Sequence, residues 1–204
     1  ERGAPFPIET HGFETAGFGQ PLVMLLAALI TGTEFLNGQL RTSLLATPRR
    51  GQVLGAKLLV IGVLAALIGA VAVGAAVLLK HGALGEHGLS PGEFTPRMAW
   101  NLLGVSANYA LIALVAAGVT VISRRIIVTL VLLVPLVLGL TISLLPAVPL
   151  LRFLPDLAGI QLLMAYPSIG LLDPLPGGLV MALWALTLTG IAWALFRNRD
   201  AHTG

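Results

Sequence analysis

Few residues in this chain have the chemistry to do more than pack, and only one stretch gathers them in a pattern. Thr33 to Lys57 reads TEFLNGQLRTSLLATPRRGQVLGAK and sets Glu34, Arg41, Arg49, Arg50 and Lys57 between two long apolar segments. Elsewhere the polar groups stand in small sets. His81, Glu86, His87 and Glu93 fall in one polar stretch, Asn101, Asn108 and Tyr109 in one apolar run, and Glu34, Asp156 and Asp173 at segment ends. Two His with two Glu can suggest a metal site. Here no HExxH spacing occurs and Gly and Pro separate the four, so solvated loop residues are expected and no metal. No GxxxxGK[ST] run is present to cradle a nucleotide. GVSAN around Ser106 is not the GxSxG elbow, no histidine is expected within a span to serve it as a base, and the carboxylates are not paired within one span. No catalytic residue and no cofactor of the chain's own are expected.

Asn101 and Asn108 lie seven residues apart, which places both amides on one helical face with Tyr109 beside them. An amide facing lipid leaves hydrogen-bonding groups unpaired, so this face should point into a helix bundle or a wet cavity. Two readings stay open: glue between helices, or the lining of a substrate path.

The elements that must position these residues are membrane spans. Hydrophobic residues make up 56% of the 204 and charged residues 10%, with a mean hydropathy of +0.93. Soluble domains carry about a quarter charged residues. The expected fold is all-α, a polytopic transmembrane bundle forming a single domain over 1–204. Spans are expected at 18–35, 53–79, 98–122, 126–145 and 177–196. They are preceded by an extracytoplasmic loop at 1–17 and interrupted by a re-entrant outer segment at 146–176, which six prolines cut into pieces too short to cross a bilayer. Pro135 should kink the fourth span. Gly55, Gly62 and Gly69 recur every seven residues in the second span, with Ala66, Ala70 and Gly74 near the same side. That stripe suits close helix packing, although Gly and Ala are common in membrane helices anyway. With no cysteine there are neither disulfides nor thiolate metal sites.

The net charge of +3 and the pI near 10.0 do not make a nucleic-acid surface, because the basic residues end apolar runs instead of sharing a face. They report topology. The connection from Thr33 to Lys57 carries four Lys and Arg, the turn at Ser123 two and the C-terminal tail two, against four on the other side: Arg2, Lys80, Arg97 and Arg152. The expected cytoplasmic segments are therefore 36–52, 123–125 and the C-terminal tail of a multi-pass plasma-membrane protein in contact with lipid. Five spans then put the N-terminus outside, and no signal peptide opens the chain. One more span ahead of Glu1 is the simplest repair.

The central stretch is organised beyond its charge. From Glu34 to Thr47 it can form a short helix that Pro48 ends, with Leu36, Leu40 and Leu44 on one face and Glu34, Asn37, Gly38 and Arg41 on another. In this context the run E-x-x-x-G-x-L-R-x-x-L-L-A-T-P-x-R-x-G-x-x-L-x-x-K resembles the cytoplasmic segment of ATP-binding-cassette (ABC) transporter permeases of the drug and polysaccharide export class. It is carried by Glu34, Gly38, Leu40, Arg41, Leu44, Leu45, Ala46, Thr47, Pro48, Arg50, Gly51, Leu54 and Lys57, about an eighth of the chain. Span order, the tight Arg124–Arg125 turn and the proline-broken outer segment accompany it. The chain departs from the family in showing five spans where the family has six.

The resemblance implies that 34–48 is a coupling helix seated in a cleft of a separate ATPase subunit, with Glu34, Gly38, Arg41, Leu44, Leu45, Pro48, Arg50 and Lys57 as the coupling residues. It also implies a second permease, identical or homologous, with ATP and Mg bound by the partner ATPase. Asn101, Asn108 and Tyr109 are then candidates for the substrate path, and Gly55, Gly62 and Gly69 for packing within or between permeases. Two other classes compete with this reading. One is a non-transporting scaffold whose loop recruits a cytosolic partner. The other is a membrane enzyme built from His81, His87 and Asp156.

Overall fold

The computed structural model describes residues 7–36, 50–163 and 170–198. The described residues are helical without strands. They contain five helices long and apolar enough to cross a membrane, which makes the chain a membrane-embedded α-helical bundle. The long helices are α1 (Ala16–Leu36), α2 (Arg50–Ala83), α3 (Pro96–Ser123), a fourth that begins as α4 (Ile126–Pro135), and a last one at Pro174–Asn198.

α3 is the hub. It packs against α1, α2, α4 and the last helix, and its interior residues, among them Val105, Ile112, Val115 and Ala116, are sealed from the surface. Small side chains at 113, 116, 117 and 118 let neighbours close in; a β-carbon on Gly118 would stand 2.9 Å from Leu188 Cβ. The outer helices show the reverse pattern. Leu59, Val71, Ile127, Val131, Leu179 and Leu186 lie mostly exposed, an apolar surface matched to hydrocarbon.

Helix ends follow local chemistry. Thr95 caps α3, its side chain accepting from the Met98 N–H at 3.3 Å, with Pro96 at the first helical position. α3 stops at Arg124, which adopts a left-handed conformation (φ 55°) and donates its N–H to Thr120 O at 2.7 Å. The chain then reverses directly into α4, and the Thr120 and Thr129 hydroxyls bond across the turn at 2.8 Å.

Several boundaries differ from the sequence expectations. α2 spans 34 residues where 53–79 is expected, because nothing breaks the helix before Ala83. At about 1.5 Å per residue it is about 51 Å long and outreaches a hydrocarbon core of about 30 Å. His81 therefore lies in the last turn of a spanning helix and not in a loop. The described part of the expected loop, 7–17, is more than a loop: 3₁₀ turns at Ile8–Thr10 and Phe13–Thr15 lead into α1. Phe13 is buried against the bundle, and Gly12 (φ 95°) lies against the Val77 backbone.

The fourth long helix does not simply kink at Pro135. α4 continues through the proline, widens into a π-type turn at Leu136–Leu140, and breaks at Gly139 (φ 112°) before α5 (Thr141–Leu144) resumes. Proline withholds one N–H, and glycine supplies the backbone angle that other residues resist. Beyond it come a 3₁₀ turn at Pro149–Phe153 and two single-turn helices, α6 (Pro155–Ala158) and α7 (Ile160–Leu163). Both short helices pack against α3 and the last helix, α8 (Pro174–Asn198).

Candidate functional site

Two regions bring the sequence-predicted residues together. The first is a buried polar node on α3. Asn108 is fully enclosed. Its Oδ1 accepts from Gln20 Nε2 at 2.7 Å, and its Nδ2 donates to Gly159 O at 2.8 Å and approaches Met181 Sδ at 3.6 Å. One amide thus ties α1, the turn between α6 and α7, and α8 to the hub. Tyr109 is buried beside it and donates its hydroxyl to Ala16 O at 2.6 Å. Its ring and hydroxyl fit because Gly19 on α1 and Gly69 on α2 have no β-carbon to obstruct them. Asn101 is half-buried on the same helix and joins none of these bonds. Asn108 and Tyr109 hold helices together, and their polar atoms point at protein.

The glycine repeat divides along its length. A β-carbon on Gly69 would stand 3.0 Å from the Tyr109 ring and one on Gly62 3.7 Å from Leu114, so both positions face α3. Gly55 meets nothing within 4 Å and is exposed.

The second region is the end of the bundle where α1 finishes and α2 begins. Leu54, Val121, Ala192 and Phe196 form a separate apolar cluster there. Trp193 Nε1 donates to Gly51 O at 3.3 Å, and the Arg197 guanidinium lies 4.6 Å from the Trp193 ring centroid. Gly32 rests on Ile126 and Thr120. Arg50, Arg124, Arg125 and Arg197 thereby collect at one end, while Lys80, Arg97 and Arg152 belong to the other. Of the proposed coupling residues, Glu34 is on the last turn of α1, Arg50 opens α2 and Lys57 is two turns into it. Gly38, Arg41, Leu44, Leu45 and Pro48 lie outside the described residues, as does most of the expected helix at 34–48.

The polar stretch after α2 is built and not merely solvated. His81 is 5% exposed and its Nδ1 accepts from the Leu89 N–H at 3.1 Å. That bond puts the ring proton on Nε2, leaving no lone pair for a metal. Ser90 and Glu93 form a capping box, with Glu93 Oε2 accepting from the Ser90 N–H at 2.8 Å. Among the described residues no three His, Cys, Asp or Glu side chains converge as metal ligands.

Three features are not reached from the sequence. Gln20, a lone amide at the head of an apolar run, carries the same signal as Asn108 and is its partner. The bond from Trp193 to Gly51 has no local signature. Asp156, expected as a segment-end carboxylate, is 6% exposed and bonds Thr141 across the helix break.

Compared with known protein families, with curated proteins and with solved structures, the chain finds no match.

Proposed function

We propose that this chain is the membrane-spanning permease subunit of an ABC exporter. It moves an amphipathic or lipophilic substrate out of the cytoplasm, using ATP hydrolysed by a separate ATPase subunit and acting beside a second permease. The observation that carries this reading is the residue order from Glu34 to Lys57. Supporting it, the helices on either side of that stretch end beside the Arg124–Arg125 turn and the C-terminal end of α8, so the basic residues gather at one end as a cytoplasmic face requires. A short helix tethered to α1 and α2 would pass a displacement from an ATPase to both, and α2 would carry it to the hub through Gly62 and Gly69. Because Asn108 and Tyr109 are bonded within the chain, a substrate path suits the surface between two permeases better than the interior of one.

The test is reconstitution with a soluble ABC ATPase that copurifies with the chain. The chain alone should hydrolyse no ATP, and the complex should show substrate-stimulated hydrolysis. Arg41→Glu and Leu44→Pro should abolish the stimulation while membrane insertion and yield stay normal. Unchanged stimulation in both variants would remove the coupling role from this stretch.

A further inference from the structure

Asp156 is a carboxyl enclosed by protein at a place where the bundle is broken. Its Oδ1 is buried and has no hydrogen-bond partner. Its Oδ2 contacts the Thr141 hydroxyl, which also lies 3.0 Å from the Leu136 carbonyl. Beside it is a cavity of about 30 Å³ bordered by Gln20, Leu136, Gly139 and Ile160, room for one water-sized particle. Gln20 commits its Nε2 to Asn108 and keeps its carbonyl oxygen as an acceptor.

Proton counting shows what this arrangement lacks. Thr141 has one hydroxyl proton and two acceptors to satisfy. Donated to Leu136 O, it leaves a Thr141 lone pair facing Asp156, and that bond needs a proton on the carboxyl. Donated to Asp156, it leaves a buried charged carboxylate whose Oδ1 has no hydrogen-bond partner and whose charge the nearby Leu157 and Asp156 amides offset only in part. Either way, the site is short by one positive charge.

We propose that Asp156, Thr141 and the Gln20-lined cavity at the Gly139 break form a binding site for one monovalent cation, a proton or Na⁺. A single carboxylate with neutral oxygens neutralises one charge. A divalent ion calls for more acidic ligands, and none converge here among the described residues. The site stands independently of the exporter reading. It joins α6 of the outer segment to α5 just beyond the break, so occupancy decides whether these elements stay docked. Gly139 is the hinge that permits them to part.

The electrostatics agree. Burial pushes the Asp156 carboxyl up, with the Thr141 hydroxyl and the amides of Leu157 and Asp156 offsetting only part. The charged groups on the elements packed around it are Arg97, Arg152 and Arg197, and none of them acts on the carboxyl. Raised in the fold, the carboxyl costs nothing below the ordinary carboxylate range. It destabilises the protein increasingly as pH rises from there toward its folded value.

The test uses the full chain in lipid nanodiscs. The infrared carbonyl band of a protonated carboxylic acid and the melting temperature are followed against pH, in K⁺ and then in Na⁺ buffer, for the wild type and Asp156→Asn. The wild type should show a band, absent in Asp156→Asn, that persists above the ordinary carboxylate range. Its melting temperature should fall across the pH range above the ordinary carboxylate value in which the band persists and level off once the band is lost, while Asp156→Asn stays level throughout. Recovery on adding Na⁺ at high pH, in the wild type only, identifies Na⁺ as an occupant; a response to pH alone identifies the proton. The proposal is overturned if no band depends on Asp156 at any pH and both proteins melt alike across pH and Na⁺. Should Asp156→Asn not fold, Thr141→Val replaces it. That variant should change the titration of the band, and an unchanged titration overturns the proposal equally.

Discussion

Gly69 of α2 lies flat against the ring of Tyr109 of α3, so close that a β-carbon at position 69 would stand 3.0 Å from two ring carbons. Fourteen residues earlier, Gly55 belongs to the same seven-residue repeat but meets nothing. The two glycines should therefore answer differently to the same substitution. Gly69→Leu must displace the Tyr109 ring or part α2 from the hub, an overpacking cost of about 1–3 kcal/mol, read as a lower melting temperature in detergent. Gly55→Leu should leave monomer stability unchanged within about 0.5 kcal/mol. If cross-linking captures a second copy of the chain, loss of that cross-link in Gly55→Leu would assign this end of the stripe to contact between copies.

The amide pair of Gln20 and Asn108 invites a double-mutant cycle. Asn108→Leu strips partners from Gln20 Nε2 and Gly159 O inside the bundle and should cost about 1–3 kcal/mol, the desolvation of groups left unpaired. Gln20→Leu should cost a similar amount. If the bond is direct, the double variant should be less destabilised than the sum by about 0.5–3 kcal/mol. Strict additivity in denaturant unfolding would show that the amides do not support each other. Tyr109→Phe, which loses only the bond to Ala16 O, should cost about 1 kcal/mol.

What is legible in the sequence divides along physical lines. Spans are readable because long apolar runs have one fate in a chain this poor in charge, and their number and order match the helices. Asn108 can be assigned to an inward face, since lipid offers an amide no partner. Its partners cannot be, because the bond to Gln20 joins positions 88 residues apart and no local pattern encodes it. The end of α2 is hidden for a different reason. Lys80 and His81 are polar enough to read as loop, yet the backbone continues while His81 turns its ring inward to receive Leu89. The proline in the fourth long helix is visible. That the chain instead breaks at Gly139 depends on α6 docking beside it, a tertiary fact.

Gly139 carries a φ of 112° with ample room around it; a β-carbon added there would come no nearer to another side chain than 3.8 Å, from Ile142 Cγ2. The expected penalty for Gly139→Ala is therefore backbone strain and not a clash, on the order of 1–2 kcal/mol. Pro135→Ala restores an N–H without demanding a new backbone angle and should be neutral or mildly stabilising. Thermal unfolding of the two variants separates the positions: a cost for Pro135→Ala with none for Gly139→Ala would mean that the proline and not the glycine fixes the break.

The capping box at Ser90 and Glu93 gives the connection between α2 and α3 a pH dependence of known sign. Hydrogen bonds from the Ser90 backbone N–H and hydroxyl hold the Glu93 carboxyl below the ordinary range, with desolvation opposing weakly. A depressed folded value means that the ionised form is the one the fold prefers. Its contribution is complete above the unfolded value, near 4.3 for a free glutamate, and is lost as pH falls through the folded value. Amide exchange at Ser90 should therefore lose protection only once pH falls below the ordinary glutamate range, through the lowered folded value. Glu93→Ala should remove the acid-sensitive protection altogether. Glu93→Gln can keep the box geometry through its carbonyl oxygen without titrating, so protection at Ser90 should persist into acid. If Glu93→Gln lost protection over the same acid range as the wild type, another group would have to be the one that titrates.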